Sequence, residues 1–310
     1  MNYMRRQEDN PFLTTKEVAE LLHVNEKMVY SLVNDKGLPA SKVTGKWLFP
    51  RRLVAEWLEV NVTNYRPATV SVDDLILLVA GSDDPLFQQT LALFQRRYPR
   101  RIAFFANLGS MGGVSSLRRG LCHIGVCHLL QDENEEYNFD FASQELEQAP
   151  VFVNFSKREQ GLLVAKGNPK GIEGIEDLAR KGISIVNRPQ GTGTRVLLDH
   201  ELSIRRISSQ KIDGYSREVS RHLDGGLEVL AGRVDAAPGI RAIAGMLDLD
   251  FVPLRWERFD LIISKERFFE RGIQDFIGLL HEETFRQLAD SFVGYDVSLC
   301  GKMLFPDNLK

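Results

Sequence analysis

Three short glycine-rich loops carry residue types that suit the binding of a small anion. They are Gly-Ser-Asp-Asp at 81–84, Gly-Ser-Met-Gly-Gly at 109–113 and Gly-Thr-Gly-Thr-Arg at 191–195, each ahead of a helix-like stretch. Glycine lets the backbone approach a ligand, hydroxyl groups donate hydrogen bonds, and a helix N-terminus favours negative charge. The second and third loops together suit a tetrahedral oxyanion, to which Arg188 and Arg195 would add positive charge.

A simpler interpretation is that these loops are ordinary turns and helix caps. A solvent-facing orientation of Arg195 is likewise an alternative to ligand binding. We favour binding because more than one such loop is present. His128 joins the set because it ends a predicted strand. The candidate ligand-binding residues are Ser82, Asp83, Ser110, Met111, Gly112, His128, Arg188, Gly191, Thr192, Gly193, Thr194 and Arg195.

Asp83 and Asp84 are unfavourable for anion binding, because they lie where the first loop should touch the ligand. A carboxylate at a helix N-terminus is itself a cap, so one of the two has a purely structural alternative. An ionised aspartate lining the site would instead repel an oxyanion. The sequence therefore leaves open a ligand that carries hydrogen-bond donors or positive charge.

Cys122-His123 and Cys127-His128 form a metal-like pattern on one predicted strand. Because alternate residues of a strand point to opposite faces, Cys122 and His128 lie on one face and His123 and Cys127 on the other. This splits the potential ligands, so we expect no metal site. The strings typical of serine hydrolases, P-loop proteins and zinc proteases are absent, and we expect neither an enzyme nor a resident cofactor.

Composition and charge are those of a globular protein with a mildly basic N-terminal segment, called the head. The 310 residues are 43% hydrophobic and 26% charged, with a net charge of −3. Residues 1–66 contain 10 Lys/Arg and 8 Asp/Glu, a net of +2, which leaves −5 for the remainder. Such a head on an acidic body fits a small DNA-binding module. With 3 cysteines, no apolar run after Arg5 and Arg6, and no bilayer-length segment, we expect a cytoplasmic protein.

Residues 12–60 predict a compact head with helices at 16–22, 26–34 and 51–60 and a hairpin at 40–49. Thr14 and Glu17 have the spacing of a capping box. The string FLTTKEVAELLHVN lies at 12–25, and it is followed by Val29-Tyr30, Gly37-Leu38-Pro39-Ala40, Lys46-Trp47-Leu48-Phe49 and Trp57-Leu58. Together these strings resemble the excisionase/MerR-like helix-turn-helix family. The resemblance implies a winged fold with its second helix in the major groove of duplex DNA.

The candidate DNA-binding residues follow from that resemblance, although any small helix also has a solvated polar face. On the second helix they are Asn25, Glu26, Lys27, Tyr30, Ser31 and Asn34, and on the wing and third helix they are Lys42, Lys46 and Arg51, which would meet phosphates.

Alternating strand-like and helix-like segments from residue 73 onward predict an α/β fold with a parallel sheet. The predicted strands are 75–80, 101–106, 122–128, 161–166, 182–186, 234–237 and 259–264. The predicted helices are 85–97, 114–119, 175–181, 194–202, 216–231 and 272–280. We therefore expect a winged helix-turn-helix domain at 1–62, a linker at 63–72 and a larger domain at 73–310.

The larger domain has its own family resemblance. It is carried by six strings: AGSDD at 80–84, GVCHLL at 125–130, QGLLVAKGNP at 160–169, NRPQGTGTR at 187–195, GRVDAAPGI at 232–240 and FVPL at 251–254. These strings resemble the type II periplasmic-binding-protein superfamily. More narrowly, they resemble its intracellular branch fused to helix-turn-helix domains or to molybdopterin-biosynthesis proteins, whose relatives are similar to binding proteins for molybdate and tungstate.

The second resemblance implies two lobes, one at about 73–155 and 252–310 and the other at about 156–251, with ligand between them. Together the two resemblances predict a one-component transcriptional regulator that senses an oxyanion such as molybdate or tungstate. Ligand would close the lobes and change the spacing of paired heads on a two-fold operator, so we expect a homodimer and no membrane partner.

Two alternatives belong to other functional classes. A solute-binding receptor of a transporter is opposed by the missing export signal and by the DNA-binding head. An excisionase-type DNA-architectural factor with a vestigial sensor domain is opposed by the intact glycine-rich loops.

Overall fold

The computed structural model describes residues 11–43, 45–61, 75–130, 137–146 and 148–305. The chain divides into two compact units, residues 1–69 and 70–310. The linker predicted at 63–72 lies outside the described residues. Within the described ranges, no helix is both long and apolar enough to cross a bilayer.

The smaller unit, called the head, is a winged helix-turn-helix. Its helices are α1 (Thr15–Leu21), α2 (Glu26–Lys36) and α3 (Arg51–Val60), and its strands are β1 (Phe12–Leu13), β2 (Ser41–Val43) and β3 (Lys46–Pro50), in the sheet order β1-β3-β2. The predicted capping box is present, since Thr14 Oγ1 accepts from the N–H of Glu17 and the Thr14 N–H donates to the Glu17 carboxylate at 2.7 Å. Gly37, at φ +66°, ends α2 in the left-handed conformation that glycine adopts without strain.

A small apolar core holds the head together. Val18 of α1, Val29 of α2, Phe49 of β3 and Val54 of α3 are fully buried in one cluster. One residue from each helix and one from the wing therefore meet, and this fixes the exposed face of α2 relative to the β2–β3 hairpin.

The larger unit is built on an 8-stranded mixed sheet. Its strands are β4 (Ile76–Gly81), β5 (Ile102–Asn107), β6 (Ile124–Cys127), β7 (Val151–Val164), β8 (Ala236–Ile240), β9 (Asp250–Ile263), β10 (Tyr295–Asp296) and β11 (Met303–Leu304). The path is β10-β7-β9-β6-β4-β5, with β8 and β11 also on β7. Among the strand pairs in the described part of the chain, only those of β4 with β5 and β6 are parallel. The expectation of a parallel sheet is wrong for the rest, because β7 and β9 pair antiparallel along their length.

Helices cover this sheet and carry the ligand-site loops. They are α4 (Pro85–Arg97), α5 (Gly109–Arg118), α6 (Phe139–Glu145), α7 (Gly193–Ile204), α8 (His222–Leu230), α9 (Arg241–Leu247), α10 (Arg271–Leu279) and α11 (Glu283–Asp290), with short 3₁₀ helices at Ile175–Ala179 and Ser209–Lys211.

Several sequence predictions for these elements are wrong. The helix predicted at 216–231 begins only at His222, and the strands predicted at 161–166 and 259–264 are the ends of the much longer β7 and β9. Helix α5 begins at Gly109 rather than at residue 114, so the second glycine-rich loop is the start of a helix. The glycines serve close packing, because a Cβ on Gly113 would lie 2.8 Å from the Cα of Gly81. Residues 182–186 form only isolated bridges, such as Ile185 with Ala236, rather than a strand.

Strands β7 and β9 connect two separately packed lobes. Lobe 1 contains β4–β6 with α4, α5, α10 and α11, and its core includes Phe87, Phe155 and Phe276. Lobe 2 contains β8 with α7–α9, and its cores include Leu162, Leu198 and Ile243. The β7–β9 ladder shifts register between Gln160 and Gly161, where both strands pass from one lobe to the other.

Candidate ligand-binding site

The three glycine-rich loops meet where lobe 1 faces lobe 2. The carboxylate of Asp83, just before α4, accepts a hydrogen bond at 2.9 Å from the backbone N–H of His222, the first residue of α8. The N–H of Met111 donates to the carbonyl of Gly191 at 3.2 Å. A Cβ on Gly193 would lie 2.4 Å from the carbonyl oxygen of His128. Loops one and two of lobe 1 therefore contact loop three and α8 of lobe 2.

A buried hydrogen-bonded row runs from Ser82 through His128 to Glu257. The Nε2 atom of His128 is 2.7 Å from Ser82 Oγ, and its Nδ1 atom is 2.8 Å from Glu257 Oε2. Burial lowers the pKa of His128 more than Glu257 raises it, so the imidazole is neutral at neutral pH. Burial opposes ionisation of Glu257, but His128 and Arg158 hold the pKa of Glu257 below its ordinary value. A carboxylate only accepts, so Nδ1 of His128 carries the proton.

Arg158 is the central cation of the site and is fully buried. Its Nε donates to Glu257 at 2.5 Å and its Nη1 to Asp84 at 2.7 Å, and the guanidinium lies 4.4 Å from the ring centre of Phe259. Burial works against the charged form, but Glu257 and Asp84 raise the pKa of Arg158 above its ordinary value. Asp84 also caps α4 by accepting from the N–H of Phe87 at 2.7 Å. Asp84 is therefore a structural residue whose charge Arg158 balances.

Five buried nitrogen atoms around this row have no hydrogen-bond partner among the described residues. They are Arg158 Nη2, Arg188 Nε, Arg188 Nη1, His222 Nδ1 and His222 Nε2. All three side chains are at most 2% exposed. Burial lowers the pKa of Arg188 to about 10, which still leaves it charged at neutral pH. Buried unpaired donors are costly and rare, so nitrogens gathered in one place indicate a site that a ligand completes.

His222 adds hydrogen-bonding capacity to the site rather than charge. Burial, and then the positive charges of Arg188 and Arg158, lower the pKa of His222 well below its ordinary value. A neutral imidazole has one N–H donor and one acceptor nitrogen. His222 therefore complements the two arginines without adding a third charge.

Two of the predicted hydroxyl groups have a hydrogen available for a ligand. Ser110 Oγ accepts from the backbone N–H of His128 at 3.2 Å, and Thr194 Oγ1 accepts from Gln160 Nε2 at 2.8 Å. Each oxygen is thus held as an acceptor on its protein side. Both side chains are buried at the interface, so their O–H bonds can turn toward a bound molecule.

Other predicted ligand residues have structural roles. Thr192 caps α7, since its Oγ1 accepts from the N–H of Arg195 and donates to the carbonyl of Pro189 at 2.8 Å. The guanidinium of Arg195 pairs with Asp199, one helical turn away, at 3.1 Å. It also pairs with Glu218 at 3.3 Å. Arg195 also donates to the carbonyl of Arg188 at 3.0 Å, so it supports the loop that carries Arg188.

The glycines of the predicted set shape the backbone. Gly112 packs against Leu108, where a Cβ would lie only 2.6 Å from the Leu108 Cβ. Gly191 has a φ of +81° and offers its carbonyl to Met111. These residues therefore hold the loops in contact through their backbones.

The sequence analysis missed Arg158, Gln160, His222 and Glu257. None lies in one of the three glycine-rich loops, only Gln160 lies in a quoted family string, and three of the four are on the long strands β7 and β9. The available signal was Arg158, a charged residue that lies between the apolar ends of the strand at 151–164. Such a residue is rarely buried unless it is paired.

The histidines and cysteines of the metal-like pattern at residues 122–128 contact different groups. Whereas His128 joins Ser82 and Glu257, His123 Nδ1 accepts from the N–H of Leu78 at 2.8 Å. The Sγ atom of Cys127 donates to the carbonyl of Ser110 at 3.3 Å. Among the described residues, no group of His, Cys, Asp and Glu is arranged to hold a metal ion.

In the head, every candidate DNA-binding residue is exposed: Asn25, Glu26, Lys27, Tyr30, Ser31, Asn34, Lys42, Lys46 and Arg51. Asn25 is also the N-cap of α2, because its Oδ1 accepts from the N–H of Met28 at 2.9 Å. Ser31 donates to Asp35 at 2.7 Å, and the Lys42 ammonium lies 5.5 Å from the Trp47 ring centre. Met28 is 48% exposed on α2 and was not anticipated.

Comparisons with known proteins agree with this division of the chain. Residues 12–61 match a helix-turn-helix domain family, and residues 91–281 match the PBP superfamily domain. The chain is 30% identical over 309 residues to the uncharacterized protein YvgK of Bacillus subtilis (strain 168), which covers 94% of this chain and 97% of that protein. It is also 32% identical over 110 residues to an uncharacterized protein in the ferredoxin 2Fe-2S gene 5′ region of Clostridium pasteurianum, covering 35% of this chain and 97% of that one.

The larger unit is similar in fold to a solved structure. That structure is of a Clostridium perfringens protein assigned as a phosphate ABC transporter substrate-binding protein, with bound phosphate. The TM-score is 0.55 at 13% identity, over 70% of this chain and 97% of that chain. At this identity the likeness concerns architecture alone.

Proposed function

We propose that this chain, which belongs to the PBP superfamily and also contains a helix-turn-helix domain, is a one-component transcriptional regulator that senses a small anion between its lobes. The observation that carries the proposal is the set of unpartnered buried nitrogens on Arg158, Arg188 and His222. Domains of these two kinds suggest a binding and regulatory protein rather than an enzyme.

An anion is the ligand class that these donors favour. The two guanidinium groups offer positive charge in a desolvated place, where electrostatic interactions are stronger than in water. Helices α5, α7 and α8 also begin at the lobe interface and present the positive ends of their dipoles. Ser110 and Thr194 add hydroxyl donors. Molybdate and tungstate are included among the test anions, because the larger domain resembles a branch of its superfamily whose relatives are similar to binding proteins for these two anions.

Ligand binding would control the lobes by adding contacts to both of them. Ser110 belongs to lobe 1, whereas Arg188, Thr194 and His222 belong to lobe 2, so one bound anion would bridge the lobes. A ligand that contacts both lobes stabilises the closed arrangement by its differential affinity. We propose that this change alters how paired heads of a homodimer bind a two-fold operator, since a single head buries little DNA surface.

The test uses the full-length protein and a matched pair of variants. Thermal shifts are measured with molybdate, tungstate, sulfate and phosphate, and DNA binding is measured with a genomic fragment library with and without each anion. Arg188→Met should remove any anion-dependent rise in melting temperature. Arg233→Met, which alters an exposed arginine paired with Glu228, should retain it.

Three outcomes would contradict the proposal. Equal anion shifts in Arg188→Met and Arg233→Met would place the anion elsewhere. Anion binding without any DNA binding at low salt would favour a solute receptor. DNA binding without a response to any small molecule would favour an architectural factor with an inactive sensor.

A further inference from the structure

Ser82 has a fixed hydrogen-bonding polarity at the lobe interface. Because Nδ1 of neutral His128 donates to Glu257, its Nε2 atom has a lone pair and no proton. The hydroxyl of Ser82, 2.7 Å from Nε2, must therefore donate to it. Its proton is used on the protein side, so Ser82 offers a ligand only oxygen lone pairs. This is the reverse of Ser110 and Thr194, which accept on the protein side and can donate to a ligand.

Asp83 is a second acceptor at the same interface. Its Oδ1 accepts from Gln88 Nε2 at 2.8 Å and its Oδ2 from the His222 N–H at 2.9 Å, and it is 4% exposed. No salt bridge joins this carboxylate to a cation within the part of the chain that the structure describes. An ionised carboxylate can accept about four hydrogen bonds, so Asp83 retains acceptor capacity on both oxygens.

The buried side chains at the interface carry one more negative than positive charge without a ligand. Two guanidinium groups, on Arg158 and Arg188, face three carboxylates, on Asp83, Asp84 and Glu257. A proton-free dianion would meet the acceptors Ser82 and Asp83 with oxygen lone pairs alone. It would therefore place oxygen against oxygen in a desolvated site, where an unmatched acceptor is costly.

We infer that the ligand of this cleft is a small anion that also carries a hydrogen-bond donor of its own. Its oxyanion end is bound by Arg158, Arg188, Ser110 and Thr194. Its O–H or N–H end donates to Ser82 or Asp83, and a ligand with a single O–H pairs with one of the two. Protonated oxyanions, such as hydrogen phosphate and hydrogen arsenate, and small α-amino or α-hydroxy acids share this chemistry. The inference rests on the proposed function and narrows its ligand class away from sulfate, molybdate and tungstate.

The decisive comparison is hydrogen phosphate against sulfate, measured by calorimetry on the full-length protein. In mildly alkaline buffer both ions are tetrahedral dianions of similar size, and they differ by a single proton. We expect sulfate to bind about tenfold to a hundredfold more weakly, which corresponds to one mispaired buried acceptor. Molybdate and tungstate should share the weakness of sulfate. Separate titrations with phosphate, arsenate, glycine and lactate distinguish the two sources of the shared chemistry.

Variants connect this preference to the two acceptors. Asp83→Asn replaces one acceptor by an amide donor, and Ser82→Ala removes the other acceptor. Each should narrow the phosphate-to-sulfate ratio, and Asp83→Asn should increase sulfate affinity in absolute terms. Asp290→Asn, which changes an exposed aspartate of α11, should leave the ratio unchanged. Because Ser82→Ala is nearly isosteric, it keeps the test available even if Asp83→Asn unfolds.

The possible outcomes separate this inference from the proposed function. Equal or tighter binding of sulfate, molybdate or tungstate, lost in Arg188→Met, would overturn the inference and leave the regulator proposal intact. Binding of phosphate with an unchanged preference in both acceptor variants would also overturn it. If no anion or acid binds and none alters DNA binding, the proposed function itself fails.

Discussion

The carboxylate of Asp83 in lobe 1 accepts a hydrogen bond from the backbone N–H of His222, at the N-terminus of α8 in lobe 2. Helix α8 has no side-chain cap from its own N-cap residue, Arg221. A residue of the opposite lobe therefore caps it. The same side chain closes the interface and stabilises a helix, so the position of α8 depends on lobe closure.

Removing this cap should open the lobes. Asp83→Ala leaves the first N–H of α8 unpaired, and losing a helix cap costs about 0.5–2 kcal/mol. We expect a comparable fall in the free energy of unfolding, measured with urea, and a larger radius of gyration by small-angle scattering. Asp290→Ala is the control for loss of an exposed aspartate. An unchanged radius of gyration in Asp83→Ala would show that the contact does not hold the lobes together.

Residues that are built for a ligand should be unfavourable to the protein alone. His222→Leu and Arg188→Met each replace a buried side chain that has unpaired nitrogens by an apolar side chain of similar size. Burying unpaired polar groups is unfavourable, so both variants should be as stable as the natural chain or more stable. Both should lose anion binding. A large loss of stability in either variant would mean that these nitrogens have partners in solution.

Arg158 should behave in the opposite way. Its guanidinium pairs with Asp84 and Glu257, and all three side chains are buried. Arg158→Met would leave two buried carboxylates without a cation, which costs about 3–5 kcal/mol for a broken buried pair. Arg97→Met removes a largely exposed pair with Glu282 and a surface contact with the ring of Tyr98, and it should cost about 1 kcal/mol. Urea unfolding at neutral pH gives both values, and similar losses would contradict the buried network.

The free energy of unfolding should fall when the pH drops below about 6.5. Burial lowers the folded-state pKa of both His128 and His222 below the ordinary value of 6.5. Below that pH the unfolded chain takes up protons that the native state does not, so folding loses stability. The slope is at most about 1.4 kcal/mol per pH unit for each histidine.

The slope is measured between about pH 7.5 and pH 5.5, above the range in which carboxyl groups with ordinary pKa values titrate. His222→Leu should reduce the slope by about half, because it removes one of the two buried imidazoles. A stability that does not change with pH across this window would mean that both rings protonate freely in the native protein. Asp83 and Asp260, whose pKa values burial raises, act in the opposite direction.

The sequence predicted the local parts of the site better than its long-range parts. Helix α4 was predicted with its observed ends, and the Thr14–Glu17 capping box was found from spacing alone. Both depend on residues within a few positions of each other. The start of α5 was missed because glycines disfavour a helix interior locally. Here the close packing of Gly113 against Gly81 outweighs that penalty.

The buried charge network could not be derived from local pattern. Arg158 and Glu257 are directly opposite in the antiparallel β7–β9 ladder although 99 positions separate them in the chain. Their meeting depends on strand register, which a local hydrophobic pattern does not reveal between distant segments. His222 likewise becomes part of the site only because α8 abuts Asp83.

The head should show two kinds of DNA contact that mutation can separate. Lys46 is exposed at the start of β3 on the wing, where a phosphate contact carries no sequence information. Lys46→Ala should weaken binding to all DNA sequences and reduce the salt-dependence slope by about 0.9. Tyr30→Ala and Asn34→Ala alter exposed residues of α2 and should instead lower the preference for the specific fragment, by about 1–3 kcal/mol.

Titrations at several salt concentrations with specific and random duplexes measure both quantities, with Lys181→Ala as the charge-matched control. If Lys46→Ala and Lys181→Ala shift the slope equally, the wing does not contact phosphate, and if Tyr30→Ala and Asn34→Ala weaken both duplexes alike, α2 does not read bases.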